Sequence, residues 1–115
     1  MKTLIILNDP PYGTERTYNG LRLATALAKA GSEITVFLLA DAVVGAKRDQ
    51  RTPEGFYNIE KMLRRVQAAG GVVLLCGTCM DARGIAAAEI VEGAQRSDMG
   101  TLAEATIAAD KVLVF

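Results

Sequence analysis

Two cysteines three residues apart carry the chemistry that this sequence offers. Cys76 and Cys79 stand in the stretch V-V-L-L-C-G-T-C-M-D-A-R-G-I, at the point where an apolar run ends. The spacing C-x-x-C admits three interpretations: a working pair of thiols, half of a metal site, or two small residues packed in the core. A thiol is nucleophilic as its thiolate, and an ordinary cysteine of pKa about 8.5 is only ~3% ionised at pH 7. A working thiol therefore needs neighbours that stabilise its anion.

The residues after Cys76 supply candidate anion-stabilising groups. The chain contains no histidine, so cations and backbone donors must do this work. Gly77 and Gly84 belong to the loop predicted after Cys76, where backbone N–H groups could face an anion. For Arg83, anion binding and an ion pair with Asp81 are equally compatible with the sequence. Asp81 is predicted to cap a helix, with proton transfer as the less favoured role.

Two neighbouring loops could add groups at the same place. The loop K-R-D-Q-R carries Lys47, Arg48 and Arg51, and its cations would extend a positive field over the cysteine motif. The loop N-D-P-P-Y-G could form a rigid rim that brings Tyr12 near the thiol, although such a sequence is also typical of a plain strand-to-helix turn. Asn58, near the start of the second predicted helix, could face the same edge.

Metal binding is disfavoured by the ligand count. Zinc takes about four ligands, commonly two C-x-x-C pairs or one pair with two histidines. The sequence supplies two thiolates and no imidazole, so a zinc site would have to be shared between subunits. We therefore predict no metal and no cofactor. Thiol-disulfide exchange stays open, although a thioredoxin-type motif follows the first strand and opens directly into a helix, whereas this pair follows the third strand.

Composition limits the remaining classes of function. The 115 residues correspond to a single domain, residues 1–115, which is large enough to fold without disulfides. Thirteen basic and thirteen acidic residues balance, which argues against a nucleic-acid surface, and an apolar fraction of 50% favours self-association. No apolar run approaches the ~20 residues of a membrane span. We expect a cytoplasmic protein, and thiols in that compartment are normally reduced.

Alternating strands and helices must position the cysteines. The sequence predicts strands at residues 3–7, 34–39, 72–75 and 112–115, and helices at residues 14–30, 52–69, 88–91 and 101–109. In these helices Thr14 and Thr52 are the expected N-caps, and Thr101 with Glu104 fits a capping box. Phe56 is expected on the buried face of the second helix. Apolar strands separated by helices predict an α/β fold, a three-layer α/β/α sandwich with a mainly parallel sheet of Rossmann-like or flavodoxin-like topology. Its strand-to-helix loops, residues 8–13, 40–51 and 76–84, would then meet at one sheet edge.

A series of motifs along the chain resembles the DsrE/DsrF-like family, in particular its YchN-like branch. The motifs are N-D-P-P-Y-G, L-R-L-A-x-A-L, D-A-V, E-G-F-Y-N-I-x-x-M-L, C-x-x-C-x-D-A-R-G-I and A-D-K-V-L-x-F, and together they span nearly the whole chain. The resemblance implies an α/β/α domain that assembles into homotrimers or homohexamers and is related to subunits of sulfur-relay systems. In those relatives a cysteine at a strand end accepts sulfane sulfur as a persulfide. That position corresponds to Cys76 rather than Cys79.

The expected function is therefore a sulfur-relay protein, a sulfurtransferase-type carrier with its persulfide on Cys76 and a second thiol at Cys79. Its expected partners are further copies of itself and sulfur donor and acceptor proteins, with neither nucleic acid nor membrane. The neighbouring thiol could instead attack the persulfide and leave a disulfide. A dithiol oxidoreductase and a non-catalytic oligomeric scaffold with packed cysteines remain alternatives. For self-association, the alanine-rich residues 85–94 are the predicted subunit contact.

Overall fold

A parallel β-sheet forms the centre of the molecule. The computed structural model describes residues 1–53 and 57–115, and the strands in this part of the chain are β1 (Lys2–Leu7), β2 (Glu33–Leu38), β3 (Val72–Cys76), β4 (Gln95–Ser97) and β5 (Lys111–Val114). Their order in the sheet is β4-β3-β2-β1-β5, and every pairing is parallel. All five strands therefore end at one edge, which confirms the predicted α/β class.

Helices cover the sheet on both faces. They are α1 (Arg16–Lys29), α2 (Ile59–Ala68), α3 (Gly77–Ala82) and α4 (Met99–Ala108), with 3₁₀ turns at Ala40–Ala46 and Ala87–Glu89. Helix α1 packs on α2, and α4 packs on β1. Because crossovers are right-handed, the connections running from β1 to β4 lie on one face and the return to β5 through α4 lies on the other. No helix in the described residues is long and apolar enough to cross a membrane.

Strand β3 lies between β2 and β4, and most of its side chains are buried in the core. Phe37 and Leu38 of β2 and Leu75 of β3 are completely buried, and Leu75 lies opposite Leu38 in the parallel register. Each such side chain contributes about 1.5–3 kcal/mol to folding. On its other side β3 pairs with β4, where Cys76 lies opposite Ser97. The backbone of Cys76 is thus fixed between two neighbouring strands.

Three helices begin at residues other than those predicted. Helix α1 begins after Glu15 rather than at Thr14. Helix α2 begins after Asn58, whose side-chain oxygen accepts the N–H of Lys61 at 3.0 Å, so the prediction of a start at Thr52 was wrong. In α4 the cap is Asp98, whose carboxylate accepts the N–H of Thr101 at 2.8 Å, and the predicted capping box at Thr101 is not used. Phe56, expected on the buried face of the second helix, lies outside the described residues.

The segment between α3 and α4 differs most from its prediction. It contains a 3₁₀ turn and β4 instead of a short α-helix at residues 88–91. Its large apolar residues Ile85, Ile90 and Val91 are buried in the chain's own core, at 6%, 3% and 1% exposure. Ala86, Ala87 and Ala88 remain exposed, and the subunit contact expected in this segment stays a prediction. Larger exposed apolar side chains lie on α4 and β5, where Ile107 is 85% and Val114 is 63% exposed.

Candidate thiol site

Cys76 is both the last residue of β3 and the N-cap of α3. Its backbone is extended, and its Sγ accepts the N–H of Cys79 at 3.4 Å, in the way that a serine oxygen caps a helix. The predicted loop at residues 76–84 is thus mostly helix. The C-x-x-C pair opens directly into that helix, so the sequence-based contrast with a thioredoxin-type motif was wrong on this point, although the pair does follow the third strand.

The surroundings of Cys76 favour its thiolate. The thiol is 7% exposed and its Sγ lies 3.3 Å from the hydroxyl oxygen of Thr78. Burial raises the pKa of this thiol, but hydrogen bonds from the side chains of Cys79 and Thr78 and from their backbone N–H groups together outweigh it. The net effect is a lowered pKa for Cys76. Anion stabilisation here comes from short-range donors rather than from a directly paired cation.

Cys79 has the opposite bias. Its Sγ accepts the N–H of Ala40, which follows β2, at 3.3 Å. Burial and the proximity of the Cys76 sulfur raise the pKa of Cys79, and the Ala40 N–H and the charge of Arg83 only partly offset this. Both residues are free thiols. The pair is therefore asymmetric, with Cys76 the first to ionise and Cys79 able to donate to it.

Arg83 and Asp81 do not pair with each other. Arg83 donates to Asp41 Oδ1 through Nε at 2.9 Å and to the carbonyl oxygen of Cys79 through Nη1 at 3.0 Å. It thereby ties the end of α3 to the turn that follows β2. Asp81 lies within α3 rather than at its N-cap, so that prediction was wrong. Gly84, with φ of +66°, ends the helix in a left-handed conformation suited to glycine.

The partner of Asp81 is Arg96, a residue that the sequence analysis did not select. The two nitrogens Nη1 and Nη2 of Arg96 donate to the two carboxylate oxygens of Asp81 at 2.6 and 2.8 Å. The hydrogen bonds from Arg96 hold the pKa of Asp81 below its ordinary value. The guanidinium lies against Gly77, where a Cβ atom would be only 2.7 Å from Nε. The glycine thus allows an arginine to reach the residue next to Cys76.

A cleft of about 450 Å³ opens beside Cys76. Its polar lining comes from the ends of β3 and β4 and from the starts of α3 and α4: Cys76, Gly77, Thr78, Arg96, Ser97 and Asp98. Apolar walls are added by Phe37, Leu39 and Met99. Arg96 is the cation among these lining residues. The cleft is large enough for a small ligand, or for an extended segment of another chain.

The other predicted site residues lie elsewhere, around Gln50. Tyr12 donates its hydroxyl proton to the Gln50 side chain, and Asn58 donates its amide N–H to the Gln50 carbonyl oxygen at 3.1 Å. Arg48 donates Nε–H to the carbonyl oxygen of Ile90 at 2.6 Å. Tyr12, Asn58 and Arg48 therefore brace the segment after β2, and none of them lines the cleft at Cys76. Among the residues that the structure describes, no three side chains gather as metal ligands.

Fold and site together define a class: α/β proteins with a thiol pair at the carboxyl end of a parallel strand. Within this class the chain belongs to the DsrE/DsrF-like family, whose profile matches residues 1–115. The family expected from the sequence motifs is thus confirmed.

Individual relatives agree with this placement. The chain is 42% identical to protein YchN of Escherichia coli over 99% of its own length and 98% of that protein. The crystal structure of the E. coli ychN protein superposes with a TM-score of 0.94, at 40% identity, covering 100% of this chain and 99% of that one. A more distant relative, 27% identical over the full length of both chains, is the protein of Salmonella typhi named sulfurtransferase TusD.

Proposed function

We propose that this protein is a sulfur-relay carrier in which Cys76 accepts sulfane sulfur as a persulfide. The observation that carries the proposal is the asymmetry of the two thiols. Cys76, at the end of β3 and open to the cleft, accepts hydrogen bonds that lower its pKa. A nucleophile needs this bias towards the anion. Membership of the DsrE/DsrF-like family and the relative named as a sulfurtransferase support sulfur chemistry at this site.

Loading of the carrier is a simple displacement. The Cys76 thiolate attacks the outer sulfur of a donor, a bond forms between Sγ and that sulfur, and the donor's own sulfur bond breaks with its electron pair leaving on the donor. The product is a Cys76 persulfide anion, and no external oxidant is required. The Cys79 N–H and the Thr78 hydroxyl lie next to Sγ, where they can donate hydrogen bonds to the persulfide anion.

Cys79 gives this carrier a second possible outcome. A Cys79 thiolate could attack Sγ of Cys76, release hydrosulfide and form a Cys76–Cys79 disulfide, which a dithiol reductant would then have to reopen. The raised pKa of Cys79 disfavours that attack at neutral pH. We assign Cys79 the roles of hydrogen-bond donor to Cys76 and of slow resolving thiol.

A dithiol oxidoreductase is the second candidate, because a specific feature favours it. The C-x-x-C pair opens α3, and the first thiol is the more acidic of the two. This arrangement also suits attack of a thiolate on a partner's disulfide. Electron transfer would require both thiols, whereas a sulfur carrier requires Cys76 alone.

Intact-mass spectrometry separates these functions. Reduced wild type, Cys76→Ser and Cys79→Ser are exposed to a sulfane-sulfur donor and then measured without reductant. A sulfur adduct that disappears with Cys76→Ser and persists with Cys79→Ser supports the carrier. Rapid conversion of wild type to an internal disulfide, with no adduct on either variant, supports the oxidoreductase. Neither product on a folded protein would refute both and leave the scaffold interpretation.

The carrier is proposed to act as a homo-oligomer, a trimer or hexamer, in the cytoplasm. Large apolar side chains of α4 and β5, among them Ile107 and Val114, are exposed in the single chain. Within α4 only Leu102 is buried. A helix apolar on most sides and exposed to water is a common mark of a subunit contact. A reducing cytoplasm would keep the two thiols available, and donor and acceptor proteins would approach the open cleft.

A further inference from the structure

We infer that Arg96 is the anion-binding residue of the thiol site and selects small anionic sulfur donors of the thiosulfate class at Cys76. This inference rests on the proposed sulfur-carrier function and deepens it by naming the donor. It assigns to Arg96 a direct contact with the donor's oxyanion, whereas Asp81 positions the guanidinium.

The first argument is placement. Arg96 lies on β4, adjacent to Leu75 in the register, and reaches across the end of β3 to the residue after the reactive cysteine. Its Nε and Cζ would lie 2.7 and 2.8 Å from a Cβ atom on Gly77. The backbone at Gly77 thus leaves a slot that the guanidinium fills. Cys76 and Arg96 line the same cleft, so a ligand there meets both.

The second argument is the exchangeable nature of the Arg96–Asp81 pair. The side chain of Arg96 is 48% exposed and that of Asp81 is 61% exposed. An ion pair this open to water is weak and can be exchanged for another anion. The carboxylate of Asp81 accepts from Nη1 and Nη2 and holds the guanidinium beside Gly77. When an oxyanion of the donor replaces this carboxylate, the same two nitrogens offer it the bidentate geometry that oxyanions prefer.

The third argument is that a cation next to the Cys76 thiolate would offset the repulsion between this thiolate and an anionic donor. The Asp81 carboxylate is the main cause of the raised pKa of Arg96, and a negative charge on Cys76, which lines the same cleft, acts in the same direction. A donor that carries its own negative charge would be repelled by the Cys76 thiolate. Arg96 cancels part of that repulsion in the cleft.

The chemistry of a thiosulfate-class donor balances without further reagents. The Cys76 thiolate attacks the outer sulfur of thiosulfate, and the sulfur–sulfur bond of the donor breaks. Its electron pair leaves with sulfite, and the new bond joins Sγ to the transferred sulfur. Arg96 binds the sulfonate oxygens before the attack and the sulfite as it departs.

The test uses the charge preference of Cys76 and needs no sulfur transfer. In a Cys79→Ser background, second-order rates of alkylation are measured with iodoacetate, an anion, and with iodoacetamide, its neutral counterpart. Both reagents react with the thiolate, so their rate ratio is independent of the pKa of Cys76. A unit charge about 5 Å away in water-like surroundings should change this ratio roughly four-fold.

Two variants remove Arg96 from the site in different ways. Arg96→Gln deletes the charge, whereas Gly77→Ala keeps it but displaces the guanidinium, because the new Cβ would occupy its place. The matched control is Arg64→Gln, which deletes an exposed arginine paired with Glu60 on α2, away from the cleft. We expect the iodoacetate-to-iodoacetamide ratio to fall about four-fold in the first two variants and to stay unchanged in the control.

Each result has a defined meaning. A ratio that is unaffected by both Arg96→Gln and Gly77→Ala overturns the inference, as does an equal fall in the Arg64→Gln control. The same variants are then loaded with thiosulfate, where the initial rate of adduct formation should fall by at least the same factor. If the alkylation ratio falls but no donor loads Cys76 in wild type, the anion site at Arg96 stands and the sulfur-carrier function fails.

Discussion

Replacing Thr78 by valine tests whether side-chain hydrogen bonds set the acidity of Cys76. The hydroxyl oxygen of Thr78 lies 3.3 Å from Sγ, and a thiolate can only accept, so the hydroxyl must be the donor when Cys76 is ionised. Valine has nearly the shape of threonine without the hydroxyl. Because Thr78 is exposed, the change should leave the packing of β3 and α3 intact.

The expected size of the effect follows from the geometry of this contact. A hydrogen bond to a charged group contributes about 1.5–3 kcal/mol. The contact to Thr78 involves sulfur and lies at the surface, so we expect about half of this, ~0.7–1.4 kcal/mol, which is ~0.5–1 pKa unit. The backbone N–H of Cys79 still donates to Sγ in the variant. The pKa of Cys76 should therefore rise by ~0.5–1 unit, and its thiolate fraction at neutral pH should fall about three- to ten-fold.

The assay is the pH–rate profile of iodoacetamide alkylation, with tandem mass spectrometry to identify the cysteine that has reacted. Thr106→Val is the matched control, because Thr106 is an exposed threonine in α4 whose hydroxyl donates to a backbone oxygen far from the thiols. The midpoint for Cys76 should move upwards in Thr78→Val and remain in place in Thr106→Val. A midpoint that does not move in Thr78→Val would refute the side-chain contribution and leave the backbone donors as the source of the lowered pKa.

Three further predictions concern stability and assembly. Burial raises the pKa of Glu60, but hydrogen bonds from Arg64 and the Gln50 N–H lower it overall. Its stabilising charge is therefore fully present above the ordinary carboxyl range of about pH 4–5 and is lost as the pH falls through the lowered pKa of the folded protein. Glu60→Gln should thus lower the free energy of unfolding by about 1 kcal/mol at pH 7 in urea titrations, and the difference from wild type should shrink as the pH falls through that lowered pKa. Ala40 has φ of +49°, so Ala40→Gly should raise the free energy of unfolding by about 0.5–1 kcal/mol, measured as a higher urea midpoint, and a lower midpoint would contradict this. Ile107→Glu should reduce the mass measured by light scattering, and an unchanged mass would exclude Ile107 from the subunit contact.

The fold was predictable because its buried strands appear in the sequence as runs of apolar residues. The cores of β1, β2 and β3 each read as consecutive apolar residues, as strands buried on both faces must. Strand β4 has the sequence Gln-Arg-Ser and lies at the sheet edge with its side chains exposed, so no hydrophobic pattern marks it. Its pairing with β3 is a tertiary contact that only the assembled sheet reveals.

The absence of a hydrophobic pattern in β4 also explains which parts of the site could be predicted. Cys76 was identifiable because spacing, position after a strand and family motifs all indicated it. Arg96 was not, because it belongs to the unrecognised strand and reaches the thiol only through the register of β4. Tyr12 and Asn58 were assigned to the thiol because all the strands end at one edge. That edge is wide, and their hydrogen bonds go to Gln50 instead.

Under the proposed carrier function, the different hydrogen-bond donors of the two sulfurs would allow a C-x-x-C pair to hold sulfur rather than release it. A persulfide on Cys76 persists as long as Cys79 is protonated, since attack on Sγ needs the Cys79 thiolate. Burial raises the pKa of both thiols, and the hydrogen bond between them then acts in opposite directions, because the proton of Cys79 stabilises the anion of Cys76 and thereby lowers the pKa of Cys76 and raises that of Cys79. The hydrogen bond that activates the first thiol therefore also restrains the second. In the proposed carrier, a thiol pair built in this way would favour loading at Cys76 over closure to a disulfide, so that the sulfur would stay on Cys76 until an acceptor reached the cleft.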